Sequence, residues 1–146
     1  MKINLEDFAY EYGKAVSFPT ASEGGRSFVL DNQLNHVSRK WAIDKVVFKG
    51  REEERCDYLI EVQANKTIYY WVELKGKDIT KACRQVLSAL GLINFVDNIR
   101  HEARIITTGT NKIDIRSLEY QRLSKLMLET GGKLLQYTNT KTEVIK

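Results

Sequence analysis

The sequence is poor in the features that mark secreted, membrane-spanning or disordered proteins. It contains one proline and nine glycines in 146 residues, which argues against a low-complexity or disordered chain. No stretch of about 18 apolar residues is present, and residues 1–8 lack the apolar core of a signal peptide. We therefore expect a soluble, cytoplasmic protein that does not associate with membranes.

Cysteine and histidine are also scarce. Cys56 and Cys83 fall in different predicted elements without metal-ligand spacing, so we expect buried, reduced thiols rather than a disulfide or a zinc site. His36 and His101 lie far apart, and neither sits beside a recognisable Ser or Cys nucleophile. Neither a phosphate-binding P-loop nor a Gly-x-Gly-x-x-Gly motif occurs. These absences argue against histidine-based hydrolases, nucleotide-driven motors and dehydrogenases.

The overall composition is typical of a single basic globular domain. A hydrophobic content of 42% over residues 1–146 is enough for a single domain with its own core. The net charge is +4 and the pI is about 9.0, which favours a polyanionic partner such as nucleic acid.

Apolar periodicity and turn residues predict an α/β fold with a central mixed β-sheet flanked by helices, in the order α-β-β-β-α-β-α-β. Gly and Pro residues predict a loop over 17–27, and residues 27–31 are weakly strand-like, whereas 34–40 are ambiguous. Asn65-Lys66 predicts a hairpin turn and Asp78 a helix cap. The predicted helices cover 4–16, 79–93 and 117–130, and the predicted strands cover 41–49, 56–63, 67–74, 103–108 and 133–138, with a turn over 50–55.

Three ionisable residues fall on the central hairpin of this prediction. Side chains two positions apart share one face of a strand, so Glu73 and Lys75 should project together while Val72 and Leu74 enter the core. Asp57 begins the preceding strand. Hard cations such as Mg²⁺ take one or two carboxylates and keep several waters. We therefore expect Asp57, Glu73 and the backbone carbonyl of Leu74 to bind metal, and Lys75 to orient or help deprotonate the attacking water.

This pattern resembles the PD-(D/E)XK nuclease superfamily, to which restriction endonucleases and Holliday-junction resolvases belong. The resemblance covers roughly residues 41–90, and Cys56 stands where the name of the motif has proline. It implies a restriction endonuclease-like core and a Mg²⁺- or Mn²⁺-dependent endonuclease with Asp57, Glu73 and Lys75 as catalytic residues. It also implies a supporting Gln on the following helix, which Gln85 matches. A glutamate on the first helix would be Glu6 or Glu11, with a slight preference for Glu11.

Further residues could support such a site. Glu61 shares a strand face with Asp57 and could serve a second metal, and Asp44 on the preceding strand could line the same cleft, although surface ion pairs would explain both. Positive charge brackets the acidic residues, and we expect nucleic acid to contact four basic side chains: Arg55, Lys77, Lys81 and Arg84.

Two functions follow from these observations. The first is a DNA endonuclease of recombination, repair or defence, working as a homodimer or with a protein partner because so small a domain offers limited contact area. The second is a nuclease-like fold without catalysis, serving as a binding module or as an inhibitor of another protein. The intact Asp57, Glu73 and Lys75 set favours the first.

Overall fold

The computed structural model describes residues 2–48, 56–74, 78–108 and 116–146. The strands in these ranges are β1 (Ile3–Asn4), β2 (Glu11–Ala15), β3 (Thr20–Glu23), β4 (Arg26–Asp31), β5 (Val37–Ala42), β6 (Tyr58–Gln63), β7 (Thr67–Glu73), β8 (Ile93–Asn94), β9 (Arg100–Thr107), β10 (Leu134–Thr138) and β11 (Thr140–Val144). The α-helices are α1 (Ile79–Leu92) and α2 (Leu118–Glu129), and two short helical turns are a 3-10 turn (Leu5–Asp7) and a π-helical turn (Ile43–Val47).

The centre of the fold is a mixed six-stranded sheet, here called the central sheet, in the order β10-β9-β7-β6-β5-β2. Its β7, β9 and β10 strands are parallel, whereas β7, β6, β5 and β2 pair antiparallel. A second sheet of three strands, the small sheet, has the order β11-β4-β3. The α/β class with a mixed sheet is therefore confirmed.

The β6–β7 hairpin forms as the sequence predicts. Gln63 pairs with Thr67 and Tyr58 with Val72, so the residues between 63 and 67 make the turn. The β-branched and aromatic side chains of both strands suit the half-buried pleated surface of a sheet. The hairpin thereby brings the start of β6 beside the end of β7.

The two faces of the central sheet bury different partners. On the helix face, Trp41, Leu59 and Trp71 pack with apolar residues of α1 and α2. On the opposite face, which we call the small-sheet face, Tyr70 and Val72 pack against Phe28 and other residues of the small sheet. The fold thus has three layers: the small sheet, the central sheet, and the two α-helices of the described residues, which both lie on one side of the central sheet.

Both α-helices begin and end where the local sequence predicts. The Asp78 side chain accepts a hydrogen bond from the Lys81 backbone N–H at 2.9 Å, and Ser117 accepts one from Tyr120 N–H at 3.2 Å, as N-caps do. Gly131 follows α2 with φ of 90°, the left-handed conformation that commonly ends a helix. The strands predicted near 103–108 and 133–138 are confirmed as β9 and β10.

The amino-terminal prediction was wrong. Residues 4–16 do not form a helix, because Tyr12 and Gly13 have φ of 78° and 75° and Glu11–Ala15 instead pairs with β5 around a bulge. The loop predicted over 17–27 instead contains β3 and the start of β4, which form a hairpin that turns at Gly24 and Gly25.

The strand predicted over 41–49 was also largely wrong. β5 ends at Ala42 and the chain continues as the π-helical turn, closed by a hydrogen bond of 2.9 Å from Phe48 N–H to the Ile43 carbonyl. The turn predicted over 50–55 lies outside the described residues. In the part of the chain that the structure describes, no helix is long and apolar enough to cross a membrane.

Candidate functional site

Asp57 and Glu73 lie together at one end of the β6–β7 hairpin. Tyr58 is the register partner of Val72, so the next positions along the two strands are those of Asp57 and Glu73. The Asp57 Oδ2 atom accepts a hydrogen bond of 2.8 Å from the backbone N–H of Leu74. This bond fixes the Asp57 carboxylate against the backbone that carries Glu73.

The alternation of side chains places both carboxylates on the helix face. Leu59 and Trp71, two residues away from Asp57 and Glu73, pack in the helix-face core, whereas Val72 and Leu74 are buried against the small sheet. This is the alternation that the sequence predicts. Asp57 is 3% exposed and Glu73 is 0% exposed, and burial of carboxylates at this level requires strong compensating interactions.

The pKa of the Cys56 thiol responds to the negative charges near the start of β6. Burial raises the pKa of Cys56 well above its usual range, and the negative charges of Glu73, Asp57 and Asp44 raise it further, in that order. Asp44 belongs to the π-helical turn, whose first residue, Ile43, donates its N–H to the Asp57 carbonyl at 2.9 Å. Glu73, Asp57 and Asp44 therefore all lie near enough to the Cys56 thiol to raise its pKa.

The neighbouring helix α1 packs on the helix face of the central sheet and contacts β7. Ile79 and Cys83 are buried in the same core as Trp71, Gln85 is partly buried, and Lys81 and Arg84 are exposed.

Three of the predicted site residues, Lys75, Lys77 and Arg55, lie outside the described residues. Within residues 2–48, 56–74, 78–108 and 116–146, no group of three or more His, Cys, Asp and Glu side chains is arranged to hold a metal ion.

Glu61 lies on the predicted face but is engaged elsewhere. Arg39 donates to both of its carboxylate oxygens, with distances of 2.8 and 2.9 Å, and Gln63 donates to one of them at 3.0 Å. Glu61 is four residues along β6 from Asp57, which corresponds to about 13 Å. The structure therefore places Glu61 in a buried ion pair and does not bring it to the carboxylate pair.

The preference for Glu11 as a supporting residue depended on a helix that does not form. Glu11 is an exposed residue of the edge strand β2, and its carboxylate lies 2.7 Å from Lys40 Nζ. Lys40 packs over the Tyr58 ring and donates to the Thr20 carbonyl, which places it on the small-sheet face. Glu11 is thus on the opposite side of the sheet from Glu73. The other candidate, Glu6, is exposed and pairs with Arg39 at 2.9 Å.

The structure adds a polar pair that sequence reasoning missed. Thr107 is fully buried, and its hydroxyl accepts a hydrogen bond of 2.7 Å from Gln136 Nε2. Glu73 pairs with Ile105, so Thr107 lies two residues further along the neighbouring parallel strand and on the same face. Ligands of open α/β sheets bind at the carboxyl ends of such strands. The register between β7 and β9, which brings these residues together, leaves no signal in a single sequence.

Comparisons with protein-family models, with curated proteins and with solved structures each gave no match to this chain.

Proposed function

We propose that this protein is a metal-dependent phosphodiesterase that cleaves DNA, built on a restriction endonuclease-like core. The observation that carries the proposal is the convergence of Asp57 and Glu73 at the end of the central hairpin, with Leu74 N–H fixing Asp57 at 2.8 Å. Lys75 follows Glu73 by two residues in the sequence, where it completes the Glu-x-Lys pattern.

The donor set fits a hard divalent cation. Mg²⁺ binds through one or two carboxylates and retains waters, so two carboxylates and the Leu74 carbonyl suffice without a third acidic ligand. The bond from Leu74 N–H holds the Asp57 carboxylate in place, so that it could serve as one of these ligands. When bound, Mg²⁺ or Mn²⁺ would lower the pKa of a coordinated water and polarise the phosphate.

The protein's own groups then have separate tasks. Asp57 and Glu73 position the cation, and burial on the helix face keeps bulk water from weakening that interaction. We assign Lys75 the task of orienting the attacking water and balancing negative charge that develops on the phosphate. Gln85, on the helix that packs over this face, is a positioning residue, and Asp44 adds negative charge beside the pair.

Basic side chains near the site would hold the substrate. Lys81 and Arg84 are exposed on the first two turns of α1, which begins five residues after Leu74. Arg55 and Lys77 flank the same segments in the sequence. Contacts of this kind to phosphates position nucleic acid without reading its sequence. A homodimer or a protein partner would supply the remaining contact area.

A cleavage assay tests the proposal. Purified protein is incubated with plasmid, single-stranded DNA, branched DNA and RNA, in the presence of Mg²⁺, Mn²⁺ or chelator. We expect metal-dependent cleavage of DNA that Asp57→Asn, Glu73→Gln and Lys75→Ala each lower by about 10² or more. Asp57→Asn retains an oxygen that can accept the Leu74 hydrogen bond, so its fold should survive.

The matched control is Glu129→Gln, which removes one carboxylate from the exposed surface of α2. It should cleave like the wild-type protein. Unchanged cleavage by folded Asp57→Asn and Glu73→Gln variants would contradict the assignment of the site.

One observation favours the second function, a nuclease-like binding module or inhibitor without catalysis. Asp57 and Glu73 are 3% and 0% exposed, whereas a catalytic cation and its substrate need access to both. In that case the carboxylates would serve an internal polar network. Absence of cleavage for every substrate, together with recovery of bound nucleic acid or of a defined protein complex, would support this function.

A further inference from the structure

A second feature of the surface lies on the opposite face of the central sheet from Asp57 and Glu73. It is a cleft of about 510 Å³ that opens between β10 and β11, and we call it the β10–β11 cleft. Arg104 and Tyr137 form part of its floor, and Lys141 and Glu143 of β11 line one wall. Its volume falls in the range of ordinary ligand sites. No residue assigned above to catalysis or metal binding lines it.

The floor of the β10–β11 cleft is a rigid ion network. Arg104 is 4% exposed, and its guanidinium donates to Glu143 at 2.6 and 3.0 Å and to Glu102 at 2.9 Å. It also donates to the carbonyls of Ala103 and Lys133. Arg100 forms a further pair with Glu102 at 2.9 Å. Both carboxylates of the cleft are therefore neutralised by arginine.

The cleft nevertheless carries an excess of positive charge. Among the described residues that line it, five are cationic and two are acidic. The cations beyond the arginine network are Lys133, Lys141 and Lys146, and none of them forms an ion pair with another described residue. Lysines without carboxylate partners around a neutralised floor create a field that attracts anions.

An aromatic ring lies directly beside this charge. The Tyr137 ring is partly exposed, and Lys141 Nζ lies 4.7 Å from its centroid. Lys141 Nζ thus covers one face of the ring, and a phosphate that draws Lys141 aside would open that face to the neighbouring base or sugar. Positive grooves that track a backbone, with aromatic rings on which bases stack, are the feature common to proteins that bind single-stranded nucleic acid.

We propose that the β10–β11 cleft binds the backbone of single-stranded nucleic acid, with its lysines on the phosphates and Tyr137 against a base. A polymer fits better than a small phosphorylated molecule, because the buried guanidinium of Arg104 is fully engaged and the remaining cations lie around the rim. The proposal depends on the charge and shape of the cleft and requires no metal chemistry. A chain able to cleave DNA could use this cleft to hold a strand away from the carboxylate pair.

The test measures binding of fluorescein-labelled oligothymidylate by anisotropy, in chelator, over a series of salt concentrations. For single strands, log Kobs decreases linearly with the logarithm of the salt concentration. The magnitude of this slope decreases by about 0.7 for each phosphate contact that is removed. We expect Lys133→Gln and Lys141→Gln each to reduce the slope by about that amount. Tyr137→Leu should weaken binding roughly tenfold with the slope unchanged, as loss of one stacking contact does.

The matched control is Lys14→Gln, since Lys14 is exposed on β2 at the opposite edge of the central sheet. It should leave the slope unchanged. Equal slopes for the wild-type protein and the two cleft variants would overturn the proposal, as would an equal loss in Lys14→Gln. Equal competition by polyglutamate of matched charge would assign the cleft to acidic polypeptides instead. Because chelator abolishes metal-dependent cleavage, failure of this test is distinct from failure of the proposed nuclease activity.

Discussion

Titration of His101 should make the stability of this protein depend on pH, and substitution of His101 should remove this part of the pH dependence. The side chain is 5% exposed, packs with its ring centroid 4.8 Å from that of Phe95, and accepts a hydrogen bond of 3.0 Å at Nδ1 from Trp71 Nε1–H. Protonation of Nδ1 would break that bond. Burial, followed by the positive charge of Lys66, lowers the pKa of His101 from 6.5 to about 4.

The direction of the effect follows from proton uptake. Between pH 4 and 6.5 the unfolded chain binds a proton at His101 and the folded chain does not, so unfolding becomes more favourable as pH falls. The full contribution is present above pH 6.5 and is lost as the pH approaches 4. At 1.36 kcal/mol per pKa unit, the free energy of unfolding decreases by about 3 kcal/mol in total. About 2 kcal/mol of this decrease occurs between pH 7 and pH 5.

Urea unfolding followed by tryptophan fluorescence at about pH 7 and pH 5 measures this loss. His101→Asn removes the titration and leaves an amide oxygen near the position of Nδ1, so the variant should lose about 2 kcal/mol less than the wild-type protein over this range. Carboxylates titrate in both proteins and cancel in the comparison. His36→Asn, at the other, partly exposed histidine, is the control and should behave like the wild type. Identical pH dependence of the wild type and His101→Asn would show that titration of His101 does not cause the loss of stability.

Five further substitutions test the backbone packing at two glycines, the Arg104 ion network and the α1 cap. Gly132→Ala should destabilise the protein by about 1–3 kcal/mol in urea unfolding, because a Cβ atom would overlap the His101 carbonyl; Gly91→Ala, with open space in α1, should instead stabilise it by about 0.5–1 kcal/mol. Arg104→Met should cost about 3–5 kcal/mol in the same assay, because it removes the buried guanidinium that pairs with Glu143 and, together with Arg100, with buried Glu102; a cost below about 1 kcal/mol would contradict the ion network. Asp78→Ala should cost about 1 kcal/mol while Asp78→Asn costs little, as measured by thermal unfolding, and equal effects would argue against the α1 cap.

The local part of the fold could be read from the sequence. The β6–β7 hairpin and α1 follow from patterns that each segment carries by itself, namely alternation, turn residues and the Asp78 cap. The placement of Asp57 beside Glu73 follows from the hairpin register, which a short turn fixes. These features can be predicted without knowing which residues far apart in the sequence are in contact.

The remaining features depend on long-range pairing. Leu5, Phe8 and Tyr12 have helical spacing, yet pairing of β2 with β5 and the positive φ of Tyr12 decide that region. The partnership of Glu61 with Arg39 joins two strands 22 residues apart in sequence. Such contacts override local propensity, and a single sequence contains no direct record of them.

The central claim is that Asp57 and Glu73 together bind a divalent cation. Titration of Mn²⁺ followed by electron paramagnetic resonance tests it most directly, because the signal of free Mn²⁺ falls as the ion binds. We expect the wild-type protein to bind Mn²⁺, Glu73→Gln to raise the apparent Kd by about tenfold or more, and Glu129→Gln to bind like the wild type. Equal Mn²⁺ binding by the wild type and a folded Glu73→Gln variant, or no binding by either, would contradict it.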